Sequence, residues 1–598
     1  MEDRVSTIPI PQTSVLDAFQ VELLSALQPY MEDVEFAAGE NIFERSKAAD
    51  AFYIVDEGDV RLEVPSPEPD SENVLDVRGP GSFLGHDTML AAMTHATTAV
   101  ADTPVVGRKV SAKGWRKMLD DDPQQGIMVL RAMARQTAMN LRAAEQRVAE
   151  QLESDAPDPE VEQMVAAALA SQRIFESWDE DRVDAMLKDM AESIAAAAEE
   201  LAVATVEETH IGNPADKVLK IQGASLAVFS QLEGQPGAGL LSTDDATAVT
   251  EIAAPVGVVF GLVPVTNPVP TVINKTLICL KSRNALIYSA HRMAAGVGER
   301  AGQIIRAALE RHGAPIDLVQ WVKGRTSRKR TARFMSHPGV GLVLATGGPS
   351  MVKAAYSSGT PAIGVGAGNA PAWIAPDADL DAAAAAVVSS KSFDYGVICG
   401  SEQHLVVDES VAEEFAAKLA ENGAAVLTPE ETEQFVAGAF TPEGDLKMWL
   451  VGQPAERLAE EAGLSKPGAK LIVFGADASK PQGAQARERL APVLSFFTVK
   501  GDDEAMALSL ALLEYEGTGH TANVHTKDMD RAARFAAKMP ASRVLVNVPS
   551  ALGCCGIATA LPFTLTLGCG TWGGNSTTNN VGHRDVRNVK RMALPRPV

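Results

Sequence analysis

Cys399 lies in the stretch KSFDYGVICGSEQHLVV, residues 391–407, between a turn-like Asp-Tyr-Gly and a polar Gly-Ser-Glu-Gln that leads into an apolar run. A cysteine on its own is most often a small buried hydrophobe. Here the flanking residues describe a loop entering a strand, where a backbone N–H can point at the carbonyl that a thiolate attacks. Upstream, VFGLVPVTNPVPTVINKTLICLKSRNALIYSAHRM (259–293) sets Thr266-Asn267-Pro268 at the corner between an apolar strand and a helix. An asparagine at such a corner serves either as a turn residue or as a rigid amide donor to the oxyanion formed when a thiol adds to a carbonyl. In HPGVGLVLATGGPSMVKAAYSSG (337–359), a strand runs into Thr346-Gly347-Gly348-Pro349-Ser350 and then a helix. Glycines at that kind of turn let a helix N-terminus approach a pyrophosphate, although the spacing is not GxGxxG. GVGAGNAP (364–371) is a second glycine-rich turn. The other cysteines read as structural: Cys279 sits in an apolar helical pattern, and Cys554 and Cys555 sit in a glycine loop.

These residues need strands and turns to hold them. From about 160 onward, alanine-rich helical patterns alternate with the apolar runs VGVVFGLV, NALIYSA, VGLVLAT, PAIGVG, HLVVD and RVLVNV. Apolar runs each coupled to a helix predict parallel sheets covered on both faces. Between about 34 and 110 the texture differs, with short strands such as VEFAAGENIF and AFYIVDEGDVRLEV separated by glycine turns. They predict a small β-barrel or jelly roll, flanked by helical patterns at 15–31 and 115–153. The following ESDAPDPEVE carries five acids and two prolines, which makes it a linker or the start of the next helix.

At 598 residues the chain should hold roughly three or four folding units. Lysine and arginine total 53 against 77 acids, a net charge of −24, which argues against a general polyphosphate-binding surface and against nucleic acid as a partner. Five cysteines without metal-ligand spacing point to reduced thiols in a cytoplasm and to no metal site. The start, MEDRVSTIPIPQTS, lacks the basic and apolar regions of a secretory signal, and the most apolar later run (252–265) is broken by glycine and proline. No membrane association is expected.

In this order the pieces resemble the aldehyde dehydrogenase superfamily. More narrowly they are similar to its CoA-acylating branch, the aldehyde dehydrogenase half of bifunctional aldehyde-alcohol dehydrogenases. The resemblance runs from about 160 to 598 and is sharpest in PVTNPVPTVINKTLICLKSRNALIYSAH, LATGGPSMVKAAYSSGTPAIGVGAGNAP, KSFDYGVICGSEQ, GTGHTANVHT and LTLGCGTWGGNS. It implies an α/β aldehyde dehydrogenase fold: a Rossmann-like cofactor-binding part (164–390), a catalytic part (391–560), and a remainder with an oligomerisation tail (561–598). Before these come a domain at 13–153 and a linker at 154–163.

The resemblance also implies roles. Cys399 takes the nucleophile position, Asn267 the oxyanion donor, and His520 a place beside the acylating site, where it assists proton transfer or orients its loop. Glu488 matches a glutamate on the nicotinamide ribose, and Thr346, Gly347 and Gly348, with Thr266, match the dinucleotide site. Ser289 to Arg292 face the adenine ribose; no acid lies there for a 2′-hydroxyl, and His291 and Arg292 suit a 2′-phosphate, so both NAD and NADP stay open. Hydrolytic members carry a glutamate in the turn matching GVGAGNAP, whereas no Asp or Glu occurs between Gly359 and Pro376. The implied reaction is a reversible, NAD(P)-dependent oxidation of a small aldehyde to its acyl-CoA, with coenzyme A resolving the Cys399 thioester. A homo-oligomer is implied as well. The rivals are a dehydrogenase that uses water and a ligand-sensing protein on the same scaffold.

The frame at 34–103 resembles a cyclic-nucleotide-binding domain. That family holds the ribose with a glutamate and the phosphate with an arginine; the matching positions here are His86 and His95, in a pocket with Gly85 and Thr97. No Lys or Arg occurs from Gly79 to Gly107, so an anionic phosphate lacks its charge-assisted partner. Two readings follow: a barrel used for assembly or docking, and a regulatory domain for an altered effector, sensing pH through the two histidines.

Overall fold

The computed structural model describes residues 27–65, 72–91, 93–155, 158–324 and 327–595. The helical pattern read at 15–31 falls outside the described residues except for 27–31. The chain divides into two compact units, Met1–Ala156 and Pro157–Val598.

In the first unit, two antiparallel four-stranded sheets run in the orders Glu32–Phe36, Val105–Ser111, Ala51–Glu57, Phe83–Leu84 and Asn41–Phe43, Thr98–Ala101, Val60–Pro65, Glu72–Arg78. The two-residue period of Ala51–Glu57 sends Val55 into a core with Ile42, Val60 and Ala99, while Phe52 and Ile54 face the other way. Trp115 and Met118 of helix Ala112–Asp121, and Val129 and Met133 of helix Pro123–Asp155, cover that second face. Ser111 starts the first of these helices by accepting from the Gly114 N–H at 3.1 Å.

The second unit holds two parallel sheets. In the first, strands Val319–Trp321, Ala285–Ala290, Val258–Val263, Val340–Thr346 and Ala362–Val365 lie side by side in that order. Both faces are covered, which is why the strands read as unbroken apolar runs. The helix Pro268–Lys281 is buried at all fourteen positions. Strand order reverses between Val258–Val263 and Val340–Thr346, so their carboxyl ends open a crevice of the kind that takes a dinucleotide.

The second sheet runs Ala424–Val426, Leu471–Ala476, Val493–Val499, Glu402–Asp408, Ala370–Ile374, Gly519–His525, Ala541–Val546. Strand Ala370–Ile374, upstream of the division drawn at 390, and helix Leu380–Ser392, which spans it, pack with this sheet. The C-terminal stretch turns back: Arg587–Ala593 pairs antiparallel with Val249–Pro255, which pairs in turn with Gly239–Asp244. Among the described residues no helix is long and apolar enough to cross a membrane.

Candidate active site

Cys399 follows a tight turn, Phe393–Gly396, in which Asp394, Tyr395 and Gly396 all take positive φ (47°, 52° and 75°). Three such residues in a row are costly for L-amino acids. Gly396 is required there, since a Cβ on it would lie 2.5 Å from the Ala491 carbonyl oxygen. Asp394 is pinned by buried charge: its Oδ2 accepts from Lys217 Nζ at 3.0 Å and Lys220 Nζ at 2.5 Å, and its Oδ1 accepts from the Asn213 N–H.

Lys220 Nζ also donates to Asn267 Oδ1 at 2.9 Å and to Val397 O at 3.1 Å. An ammonium only donates, so it decides the orientation of the Asn267 amide: Oδ1 faces the lysine and Nδ2 faces away. One N–H of Nδ2 meets Val397 O at 3.1 Å. The other makes no hydrogen bond among the described residues. Lys217 donates to Thr266 O at 3.1 Å, so the two lysines tie the corner 266–267 to the nucleophile loop; burial pushes Lys217 down to about 8, against the pull of Asp394.

The thiol itself is partly exposed, with Sγ 3.2 Å from Nε2 of the fully buried His520. His520 Nδ1 lies 2.9 Å from Thr521 Oγ1. Burial, then the Arg543 guanidinium, holds this imidazole well below the usual histidine range. Burial, then Cys555 and Glu488, pushes the Cys399 thiol up. The resting pair is neutral. With the ring proton on Nδ1 facing Thr521, Nε2 offers a lone pair to the thiol proton. The turn 364–371 packs directly on the nucleophile, since a Cβ on Gly368 would lie 1.7 Å from Cys399 O. Glu488 Oε1 accepts from the Gly368 N–H at 3.1 Å, and burial raises its carboxyl to about 8.

The dinucleotide candidates issue from adjacent carboxyl ends of the first sheet. Thr266 and Asn267 follow Val258–Val263, Ser289 ends Ala285–Ala290, and Thr346 ends Val340–Thr346. Thr346 Oγ1 is buried without a hydrogen-bond partner. A Cβ on Gly348 would meet nothing within 4 Å, and one on Gly347 would touch only Met351. Open space before the turn and an unanswered hydroxyl fit a bound pyrophosphate. His291 is exposed; its Nδ1 accepts from the Met293 N–H at 3.3 Å, and partial desolvation, then the neighbouring Arg292, lowers its pKa. Arg292 is exposed.

In the first unit, Gly85, His86, His95 and Thr97 line one cavity of about 200 Å³, with Arg78 and Asn140. His95 stacks on Phe43 at 3.9 Å. His86 Nε2 lies 3.1 Å from Thr137 Oγ1, and its Nδ1 has no partner. Burial lowers both histidines. Arg78, one residue before the cation-free stretch, reaches the cavity wall, where Asp76 pairs with it at 2.7 Å and Asn140 Oδ1 accepts at 2.7 Å.

Residues 134–559 match the model of the aldehyde dehydrogenase family, and residues 33–122 match that of the cyclic nucleotide-binding domain. The chain belongs to the aldehyde dehydrogenase family. It is 40% identical over 445 residues to the bifunctional aldehyde-alcohol dehydrogenase AdhE of Escherichia coli K12, covering 73% of this chain and 49% of that protein. The chain thus spans about half the length of the bifunctional relatives it matches. It is 32% identical to the succinate-semialdehyde dehydrogenase (acetylating) of Clostridium kluyveri, covering 72% of this chain and 95% of that one. Among solved structures, an acetylating aldehyde dehydrogenase from Geobacillus thermoglucosidasius superposes with a TM-score of 0.71 at 39% identity, covering 73% of this chain and 96% of that one.

Within this aldehyde dehydrogenase, sequence reasoning missed Lys217, Lys220 and Asp394. In DKVLKIQ the lysines look like the wet side of a helix, yet both are buried. The clue was the Asp in FDYG, whose turn needs a charge partner once it is buried. Cys554 and Cys555 are also placed differently from the glycine loop expected: Cys554 ends the helix Ser550–Cys554, with Cys555 just beyond it, and both pack in a cluster against Cys399.

Proposed function

We propose that this aldehyde dehydrogenase oxidises a small aldehyde to its acyl-CoA, reversibly. As Cys399 Sγ adds to the carbonyl carbon, His520 Nε2 receives the thiol proton and the free N–H of Asn267 donates to the oxygen that becomes negative. The Thr346–Gly348 turn would hold the pyrophosphate of a nicotinamide dinucleotide, NAD or NADP, which would supply the hydride acceptor for that carbon. The aldehyde carbon is then held as a thioester on Cys399. Coenzyme A, the second substrate, resolves it: once His520 has passed the first proton to solvent it takes the proton of the coenzyme A thiol, that thiolate attacks the acyl carbon, and Cys399 leaves as the thiolate and recovers a proton from His520.

The observation that carries this reading is the Cys399 Sγ–His520 Nε2 contact of 3.2 Å, packed under a turn that has no acidic residue. No Asp or Glu occurs between Gly359 and Pro376, so this turn offers no carboxylate to activate water. Asn369 is fully engaged, its Nδ2 with Ala486 O and Leu512 O and its Oδ1 with His404. Glu488 is held on the Gly368 N–H and kept largely protonated near neutral pH, which makes it a poor base for water.

The reading extends to the rest of the chain. The three-stranded sheet exposes Leu240, Met592 and Leu594 and serves as the oligomerisation extension. The cavity of the first unit takes an effector other than one held by an arginine–phosphate pair. The deciding experiment follows NADH or NADPH formation from acetaldehyde, propionaldehyde and a sulfonated aldehyde, with and without coenzyme A, for wild type and Cys399→Ser. Turnover should require both coenzyme A and Cys399. Equal turnover without coenzyme A would overturn the acyl-transfer step.

A further inference from the structure

Two thiols meet in one small cluster beside the nucleophile. Cys554 and Cys555 are buried and free, their sulfurs 3.7 Å apart, and the cluster they form with Ile398, Ala551 and Leu567 packs against Cys399. Gly400, next to the nucleophile, touches this pair so closely that a Cβ on it would lie 2.3 Å from Cys554 Sγ and 3.4 Å from His520 Cε1. The helix that carries the pair is clamped to the nucleophile loop. Ser550 Oγ donates to Gly400 O at 2.7 Å, the Ser550 N–H donates to Glu402 Oε1 at 2.8 Å, and the Ala551 N–H donates to Ser390 Oγ at 2.8 Å. Nothing in the aldehyde chemistry uses these two thiols, and their packing role would be met equally by alanine or valine.

We propose that the Cys554–Cys555 pair is the resolving thiol site for Cys399, capturing it as a disulfide after oxidation by a hydroperoxide. In the first step His520 Nε2 takes the Cys399 thiol proton, the thiolate attacks one oxygen of hydrogen peroxide, and the proton is returned to the departing hydroxide. The O–O bond breaks, water leaves, and a sulfenic acid remains on Cys399. In the second step a thiol of the pair attacks that sulfur, the S–O bond breaks, a second water leaves, and a disulfide joins the two chain segments. Two thiols are oxidised by two electrons and one peroxide is reduced to two waters. A dithiol reductant reverses the disulfide, whereas a sulfenic acid left alone proceeds to sulfinic acid and is lost. The site therefore preserves a thiol that has to stay reachable for an aldehyde and so is reachable for peroxide.

This inference rests on Cys399 being the reactive thiol of the proposed function, and its test reads thiols rather than turnover. The reduced full-length chain is treated with one equivalent of hydrogen peroxide, alkylated and digested with chymotrypsin, which cuts after Phe563 and so separates Cys569 from the pair. Mass spectrometry should show the Cys399 peptide joined to the peptide holding Cys554 and Cys555, with dithiothreitol restoring both. In the double variant C554S/C555S, checked as folded by its circular dichroism, the cross-link should vanish and Cys399 should go to sulfinic acid, its recoverable thiol falling from nearly all to nearly none. Cys569→Ser should behave as wild type. The proposal is overturned if wild-type Cys399 overoxidises without a cross-link, if it joins Cys569 or Cys279, or if only Cys554 and Cys555 join each other, equally in Cys399→Ser. A chain that cross-links but never forms acyl-CoA would sink the proposed activity and leave the thiol site standing.

Discussion

A thiol held neutral against a neutral imidazole must lose its proton as it attacks, and that fixes its pH behaviour. Burial and the neighbouring Cys555 raise Cys399 above an ordinary thiol, so its alkylation by iodoacetamide should keep climbing above pH 9, where a free thiol levels off. A plateau near pH 7 would show a preformed thiolate instead. At the same scale, Asn267→Ala should lower kcat by about 10²–10³, with a smaller change in KM, because its free N–H strengthens only as the oxygen gains charge. Steady-state kinetics separate the two parameters. The loop at Cys399 and the corner at Asn267 were legible in the sequence as boundaries between apolar strands and turns, while the roles proposed for them rest on the family resemblance. Lys220 was not legible, because what gives it meaning is Asp394, 174 positions away.

Elements supply what single residues lack, a fixed distance between distant parts of the chain. The helix Pro214–Gln222 reaches the nucleophile loop through Lys217 and Lys220, both bonded to the fully buried Asp394. Asp394→Asn keeps the shape and tolerates the left-handed φ, yet leaves two ammonium groups without their counter-ion. It should cost about 3–5 kcal/mol in thermal unfolding, and it should lower kcat more than KM because Lys220 then holds Asn267 without its anchor. A second clamp joins strand Glu402–Asp408 to helix Ser550–Cys554 through Glu402, which burial raises to about 7. The folded form binds this proton more tightly than the unfolded chain, so the associated stability is present below pH 4.5 and is lost as pH rises through about 7. Glu402→Gln mimics the protonated form and should gain on wild type by about 3 kcal/mol between pH 5 and 9, measured by urea unfolding at each pH. The parallel strands were legible because burial on both faces writes them as unbroken apolar runs. The helix Ser550–Cys554 was not, because Gly553 and Gly556 mask it and its start is satisfied by Glu402 rather than by a local cap.

Across the whole molecule, among the described residues, two apolar clusters lie within the first unit and five within the second. Each unit thus carries its own core, the physical condition for folding alone, and a chain starting at residue 158 should keep the acyl-CoA activity. The first unit's likeness to a cyclic-nucleotide-binding domain was legible from its glycine turns. What could not be read was Arg78, brought to the cavity by strand pairing from just outside the expected stretch. Its guanidinium already answers Asp76 and Asn140, and the two histidines stay neutral at pH 7 because burial lowers them. A cyclic phosphate entering this cavity would shed its water for a cation that is engaged elsewhere and for imidazoles that carry no charge. Calorimetry of the full chain with cyclic AMP at pH 7.5 should therefore show no saturable heat, and turnover should be the same with and without it. A saturable signal abolished by Arg78→Ala would reverse this conclusion, since it would mean that Arg78 leaves Asp76 to take the phosphate.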